Sequence, residues 1–512
     1  MYETIACRAA QVRALEERAY RFVSPGSLMQ KVAFAIATTG AGVLRERRGG
    51  VYGARVVLLV GTGDNGGDAL FAGAGLARRG AQVHGLVVGE RVHEAGLAAL
   101  KAAGGRAQDA TSGSARARIQ TADLIIDGIV GIGGSGPLRA PAADLAALVN
   151  DADGYVIAVD LPSGVDCDTG AVAHPEHTVI ADLTVTSGCL KPALIVMPAA
   201  LYAGDIEVVD IGLDIGLAEV EESLIRVDER FAAQFLQRPS ALDDKFSRGV
   251  VGVASGAPAY RGAAVLSTGG ARAGISGFVR YAGRSTHEVT RAWPDVVCTD
   301  SISTAGRVQC WVVGPGLGTD DIARAEVSAA LRADVPLVLD ADALTLLAAD
   351  EHLRELCRSR VASTVLTPHR GEFERLAGRS LDEDPIAHLT ALSSALGATI
   401  LLKGATTLIA GKSGPAYVVA SGPAELGTAG SGDVLAGLMG SLIASAEVAT
   451  PHVGDDAIGA AAVAAYVHGI AGQLATADGH TITSADVLEH VPAAIGLIRR
   501  SSEVADGVDA RS

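Results

Sequence analysis

The chain has 512 residues, of which 49% are hydrophobic, 20% charged and only 4% aromatic; this supplies one large core or two of ordinary size and excludes a small disulfide-stapled module. Lys plus Arg total 42 against 58 Asp plus Glu, a formal charge of -16, which argues against a general nucleic-acid binder and leaves small molecules as the expected partners. Six cysteines with no pair at metal-ligand spacing, and a first stretch of mixed charge without an apolar h-region, predict a cytoplasmic protein.

The chain opens with a helical run around "AAQVRALEERAY", a turn at Ser24 to Ser27 and a second helix from Leu28. "ARVVLLV" at Ala54 to Val60 is a short β-branched run followed at once by glycines and by "ALFAGAGLARRG" with helical apolar spacing, hence strand, tight loop and helix. "QVHGLVV", "LIID" at Leu124 to Asp127 and "YVIAVD" at Tyr155 to Asp160 continue a parallel βαβ rhythm. After "IEVVDIGLD" at Ile206 to Asp214 the pattern loosens up to about Ser240. A second series then follows: "GVVGVAS" from Gly249, "VQCWVVGPGLG" from Val308, "PLVLDADAL" from Pro336, "STVLTPH" from Ser363 and "ATILLKG" from Ala398. Each ends in Gly, Asp, His or Lys, so polar chemistry should gather beyond the carboxyl ends of a second, largely parallel sheet. The Ala- and Gly-rich stretch from Ile458 is interrupted by His468 and Gln473, and predicts a buried helix rather than a membrane span.

Two places carry chemistry. In the first, "GTGDNGGDAL" at Gly61 to Leu70 lets backbone N–H groups approach an anion, yet Asp64 and Asp68 would repel a bare pyrophosphate; either they face elsewhere or a cation sits nearby. With Asn65, Asp127, Asp160 and Ser163 they make an oxygen-rich set without His or Cys, the type suited to a hard cation; the lesser alternative is that Asp127 and Asp160 merely cap helices and satisfy turns. Lys191, one of six lysines, is a candidate for neutralising charge or a bland loop residue. In the second, "GTAGSGDVLAGL" at Gly427 to Leu438 places a glycine turn before a helix, whose first N–H groups suit phosphoryl oxygens and whose Asp433 is placed to take a proton from a hydroxyl. Lys403 and His369 sit at neighbouring strand ends. No GxxxxGK[ST] occurs, which disfavours a P-loop ATPase.

The order "SPGSLMQKV", "GTGDNGGDAL", "IIDGIVGIGGSGP", "VDLPSGVDCDTG", "ADLTVTSGCLKP" resembles the NAD(P)H-hydrate epimerase family across residues 1–215. The resemblance implies a Rossmann-like three-layer α/β domain that interconverts the R and S forms of nicotinamide nucleotides hydrated at C6, with potassium bound. It would set Asp64, Asn65, Gly66, Gly67 and Asp68, with Gly131, Ile132, Gly133, Gly134, Ser135, Gly136 and Pro137, around the substrate. Asn65, Asp127 and Ser163 would contact potassium, and Asp160 would face the hydrated ring as the catalytic group. Asp64 stands where that family usually has Asn, Ala69 where it has Gly, Gln30 where it has Glu, and "VGIGG" replaces an aromatic-containing loop.

Residues 216–227 are expected to form a linker, and 228–512 a second domain. Over residues 228–508, "RGAAVLSTGGARAG", "VVGPGLG", "VLDADAL", "LTPHRGEFERL", "LLKGATT" and "TAGSGDVLAGL" resemble the ribokinase-like, ADP-dependent NAD(P)H-hydrate dehydratase family. By that resemblance the domain is ribokinase-like α/β. Ala263, Gly318, His369 and Asp433 would contact the hydrated nucleotide, Lys403, Gly404, Ala405, Thr406, Thr407 and Gly432 would hold ADP with Mg2+, and Asp433 would be the base. Strand-end "VAS" replaces the usual "GGS", and "SGPAELG" the usual Asn-Gly segment. Together the two resemblances imply a bifunctional repair enzyme for hydrated NADH or NADPH, expected as a homo-oligomer without membrane or nucleic-acid partners. Two other readings stay open: a small-molecule kinase with a noncatalytic first domain that binds a nucleotide or partner, and a dehydratase whose epimerase domain is inactive.

Overall fold

The computed structural model describes residues 4–134, 136–381, 384–449 and 454–509. It divides into two compact units, Met1–Leu224 and Ile225–Ser512. Within residues 216–227, expected as the linker, Leu217–Glu221 form a helix and Leu224–Arg226 a strand.

In the first unit β1 (Ile5–Ala6) bridges Leu190 in parallel. Seven further strands follow: β2 (Arg55–Val60), β3 (Gln82–Val87), β4 (Arg106–Asp109), β5 (Leu124–Gly128), β6 (Tyr155–Val159), β7 (Leu183–Ser187) and β8 (Asp205–Val209). They pair in parallel in the order β4-β3-β2-β5-β6-β7-β8. Alternate residues of a strand point to opposite faces, so the apolar run of β2 serves two cores. Leu58 and Val60 join Ile126 and Ile157 beneath helices Pro25–Arg48 and Asp64–Arg78, while Val57 and Leu59 join Ile125 against helix Ala142–Asn150. This is the expected three-layer, Rossmann-like arrangement. Because the chain runs outward from β2 to β4 and returns to β5 beside β2, a crevice opens beyond the carboxyl ends of β2 and β5, where such sheets bind ligands.

The second unit opens within β9 (Leu224–Arg226), whose last two residues belong to it, and continues with β10 (Val250–Ala254), β11 (Phe278–Ala282), β12 (Val297–Thr299), β13 (Cys310–Val313), β14 (Leu337–Leu339), β15 (Thr364–Leu366), β16 (Thr399–Leu402), β17 (Thr407–Ala410) and β18 (Ala416–Val419). The sheet order is β9-β18-β17-β16-β15-β14-β13-β10-β11-β12; pairing is parallel from β16 to β12 and antiparallel through β16, β17 and β18. Here the reversal lies between β10 and β13. Helices Arg261–Ala273 and Ser431–Ala449 cross at backbone distance: a Cβ on Gly437 would sit 1.9 Å from the Ser267 carbonyl oxygen, so only glycine permits the approach. That crossing sets the first turns of both helices near the strand ends. Helix Gly454–Ala475 includes a span, Ala457–Ala475, long and apolar enough to cross a membrane, but 72% of it is buried, with Ala460 to Ala465 in the core of this unit.

One local expectation is corrected. The second helix begins at Pro25 rather than Leu28, because Pro25 occupies the first helical turn, where a missing N–H costs nothing and φ is already helical.

Candidate active sites

A cleft of about 930 Å³ opens at the β2/β5 reversal of the first unit. Asp64, Asn65, Asp68, Gly131, Ile132, Gly133, Gly134 and Asp160 all line it. Asp64 and Asp68 therefore do not face elsewhere. Gly66 and Gly67 lie buried in the first turn of helix Asp64–Arg78, and Gly136 and Pro137 are exposed beyond the lining; Ser135 lies outside the described residues.

Asp160 ends β6 in a left-handed conformation, φ 67°, a strained backbone for a residue with a Cβ. Its Oδ1 accepts hydrogen bonds from Lys191 Nζ at 2.6 Å and Thr186 Oγ1 at 3.0 Å. Lys191 is wholly buried and also donates to Thr186 Oγ1 and the Ser187 carbonyl. Burial works against its charge, but Asp160 and Cys189 outweigh it and hold the ammonium pKa above the ordinary lysine value. Lys191 is thus the counter-charge of Asp160 rather than a loop-surface residue.

Among the described residues, the other carboxylates of the cleft have no such lysine partner. Burial, then Asp160, Asp64 and Glu16, push the Asp68 carboxyl well above the usual range, and its Oδ1 is buried without a hydrogen bond. Glu16 is raised by burial and by Asp160 and Asp64, against the pull of Lys191. Glu16, Glu17 and Tyr20 line the cleft from helix Ala9–Ala19 and the residue after it, and sequence reasoning missed them. The available signal was their place beside the core-facing Val12 and Leu15 of that helix.

Asp127 and Ser163 lie under the cleft, both buried. Asp127 Oδ1 accepts from Ser163 Oγ at 2.7 Å and Ile129 N at 3.2 Å, and Oδ2 from Ser163 N at 2.8 Å. Burial pushes its carboxyl up to about 6 despite these donors. Asn65 donates through Nδ2 to the Val159 carbonyl at 2.7 Å, which leaves Oδ1 turned towards Gly131.

In the second unit Asp340, at the end of β14, accepts from Lys403 Nζ at 2.7 Å across 63 residues of sequence. Ala341 follows with φ 50°, again strained backbone at a strand end. Burial disfavours the Lys403 charge, but Asp340, Glu372 and Asp433 together raise its pKa. Burial first, then Asp340, pushes the Asp433 carboxyl up to about 7, with Lys403 opposing and Asp342 adding. Gly432 lies beside the pair: a Cβ there would stand in ordinary contact with Lys403 Nζ, at 3.5 Å. Asp342 Oδ2 accepts from Gly318 N at 2.8 Å, and a Cβ on Gly316 would sit 2.7 Å from that of Ala263.

His369 caps helix Arg370–Ala377: its Nδ1 accepts from Gly371 N and Glu372 N, while its backbone N donates to Glu372 Oε2. Lys403 N donates to the Pro368 carbonyl, which ties the two strand ends together. Thr406 is buried with Oγ1 unpartnered, and Gly404 and Ala405 are exposed. Sequence reasoning missed His468: it is buried, contacts Ser431 O at 3.0 Å and Oγ at 3.3 Å, and is lowered to about 4 by burial, so a neutral ring fixes the start of the Asp433 helix.

A Rossmann-like unit and a ribokinase-like unit, each with carboxylates and a lysine paired to one of them beyond its parallel strands, define a two-domain α/β enzyme. Residues 26–193 match the family model described as YjeF-related protein N-terminus, and residues 251–493 match NAD(P)H-hydrate dehydratase. The chain is 46% identical to the bifunctional NAD(P)H-hydrate repair enzyme Nnr of Mycobacterium tuberculosis (strain CDC 1551 / Oshkosh), over 85% of this chain and 88% of that one. It is 43% identical to the Mycobacterium leprae enzyme of the same name, over 96% and 98%. It is also similar to a solved ADP/ATP-dependent NAD(P)H-hydrate dehydratase from Bacillus subtilis, co-crystallised with ATP/Mg2+: 24% identity, TM-score 0.46, covering 53% of this chain and 97% of that one. The chain belongs to the bifunctional NAD(P)H-hydrate repair enzyme family, as its motifs implied.

Proposed function

We propose that the first unit interconverts the R and S forms of NADH or NADPH hydrated at C6, and that the second unit dehydrates the S form at the expense of ADP, yielding NAD(P)H, AMP and phosphate. Family membership supports the pair of activities. The observation that carries the residue assignment is the convergence of Asp433, Lys403 and Asp340 at one helix start.

In the second unit Asp433 takes the proton of the C6 hydroxyl, and that oxygen attacks the terminal phosphoryl of ADP, releasing AMP. Lys403, oriented by Asp340, and the N–H groups that open helix Ser431–Ala449 hold the phosphoryl oxygens. Phosphate then leaves C6 as C5 loses a proton, which restores the dihydronicotinamide ring. Asp340 and Asp342 are hard oxygen donors of the kind that suit Mg2+, which when bound would neutralise phosphate charge. His369, Ala263 and Gly318 border the nucleotide side, and Lys403 to Thr407 with Gly432 border ADP.

In the first unit the ring nitrogen lone pair expels the C6 hydroxyl, which leaves as water on taking a proton from the Lys191–Asp160 pair; the Asp160 carboxylate offsets the positive charge of the resulting cyclic iminium, and water re-adds to either face of C6 as its proton returns to the pair. The loops Asp64 to Asp68 and Gly131 to Pro137 bind the nucleotide. Asn65 Oδ1, Asp127 and Ser163 Oγ would hold a potassium ion, a reading supported by their all-oxygen chemistry and by the buried Asp127 carboxylate beside Ser163 Oγ. Such an ion would offset the negative charge gathered under and around the cleft. The reading places a homo-oligomeric enzyme in the cytoplasm.

The direct test is a chromatographic time course with mixed R and S NADH hydrate, ADP, Mg2+ and K+. Loss of both epimers with equimolar NADH and AMP is the expected result; loss of the S form alone removes the epimerase assignment, and a stable phosphorylated product favours a kinase.

Two further outcomes are expected. Because Asp433 must be deprotonated to act and its carboxyl is pushed up to about 7, kcat/KM for the S form should fall roughly tenfold per pH unit below that value. A profile flat down to pH 5 counts against Asp433 as the base. Gly131→Ala places a Cβ 2.4 Å from Asn65 Oδ1 and must displace that amide. Epimerisation should slow on the order of 100-fold, with ADP-dependent turnover of pure S substrate unchanged; equal loss of both would show general damage instead.

A further inference from the structure

Away from the cleft, the loop that leaves the Ser163 turn carries His174, Pro175, Glu176 and His177 in succession. One ligand atom from each of His174, Glu176 and His177 lies within 4.8 Å of the other two. His174 Nδ1 stands 3.4 Å from Glu176 Oε1, and the two imidazole rings are centred 6.0 Å apart. Among the described residues no other three His, Cys, Asp or Glu side chains meet that spacing.

We propose that His174, Glu176 and His177 form a binding site for a divalent transition metal of the zinc type, separate from the catalytic chemistry of either unit. Two imidazoles and one carboxylate are borderline donors, preferred by Zn2+ and its neighbours, whereas K+ and Mg2+ prefer oxygen alone. The donor set therefore selects a different metal from the Asn65, Asp127 and Ser163 set. None of the three residues lines the cleft. Three protein ligands leave a fourth tetrahedral position to water, which suits a site with His174 and Glu176 side chains 52% and 63% exposed.

The backbone beneath these ligands is held by hydrogen bonds of its own. Pro175–His177 is a single 3₁₀ turn in which His177 N donates to the His174 carbonyl at 3.0 Å, and Thr178 Oγ1 donates to the same oxygen at 2.9 Å. Asn150 Nδ2 donates to the Thr178 carbonyl at 2.8 Å, and Val179 N to the Ser163 carbonyl at 3.0 Å. Binding then has to order only three side chains, which lowers its entropic cost. A metal at this turn also braces the segment that holds the Ser163 carbonyl.

The test is calorimetric titration of the full chain with Zn2+, in buffer already containing K+ and Mg2+ so that oxygen sites are occupied. One equivalent is expected to bind, more weakly as pH falls and protons compete for the imidazoles. His174→Gln with His177→Gln should weaken that event by at least about 10- to 100-fold, whereas the exposed and unrelated His480→Gln should leave it intact. Zn2+ should raise the Tm of the parent protein and not of the double variant, whose far-UV circular dichroism without metal should match the parent. With Cu2+ as probe, nitrogen hyperfine coupling from two imidazoles should appear and vanish with the same pair of substitutions. Failure of the parent protein to take up Zn2+, or equal uptake by the double variant, overturns the assignment.

Discussion

Replacing Asp433 by Asn is expected to lower ADP-dependent NADH formation by about 10²- to 10⁴-fold, while the R and S epimers continue to interconvert at the parent rate. The amide keeps the shape of the side chain but cannot accept the C6 hydroxyl proton, and the epimerase chemistry resides in another compact unit. The same variant should be at least as stable as its parent at pH 8. The folded carboxyl titrates at about 7 against an ordinary 3.8, so between about pH 4 and 7 the native protein holds a proton that the unfolded chain has released. This contribution is full at low pH and is lost as pH rises to 7, above which the parent must carry a charge beside Asp340. Asn has no such dependence. The gap in Tm, variant minus parent, should therefore widen from pH 4 to pH 8, as expected where activity depends on a destabilising group. Measured together, activity loss without Tm loss separates a missing base from a damaged fold; a variant retaining a tenth of the parent rate would remove Asp433 from the role.

The parts of each unit that were legible in the sequence are those where local pattern and burial coincide. β2, β5 and β6 are interior strands covered on both faces, so they read as unbroken apolar runs ending in glycine or aspartate, and those ends carry the site. β4 is a sheet edge built from Arg106, Ala107, Gln108 and Asp109, with no apolar run to betray it. The β17 and β18 pair is short and separated by a turn, and its antiparallel addition to a parallel sheet is decided by neighbours far along the chain. Site residues divide in the same way. Asp433 and Asp160 stand out because a glycine turn or a strand end brackets them. Their partners do not: Lys191 reaches Asp160 across 31 residues, and Asp340, visible within "VLDADAL", acquires its role only when β14 and β16 bring it to Lys403. Local spacing places Glu16 beside the core-facing Val12 and Leu15, but that its helix borders the cleft is decided by the placement of the whole helix.

Lys191→Met should have the largest effect on stability, because it removes one member of a buried ion pair and leaves the other. Lys191 is wholly inaccessible and Asp160 is 8% exposed; without the ammonium, the Asp160 carboxylate would face Glu16, Asp64 and Asp68 with Thr186, among the described residues, as its one remaining side-chain donor. Breaking such a pair costs about 3–5 kcal/mol, and Asp160 loses the group that holds it in place, so epimerisation should fall with stability. Asp160→Asn combined with Lys191→Met removes both charges and should recover much of the lost stability while leaving epimerisation abolished. The two units can be followed apart in the full chain, since both tryptophans, Trp293 and Trp311, lie in the second. Calorimetry should show an early transition in Lys191→Met that tryptophan fluorescence does not follow, and ADP-dependent turnover of S substrate should persist below that transition. If the single and double variants unfold alike, the pair contributes only packing and Lys191 has no electrostatic claim on Asp160. If the double variant regains stability and not activity, the buried lysine is retained to keep a charged carboxylate in an acidic cleft, at a cost in stability that a neutral pair would not incur.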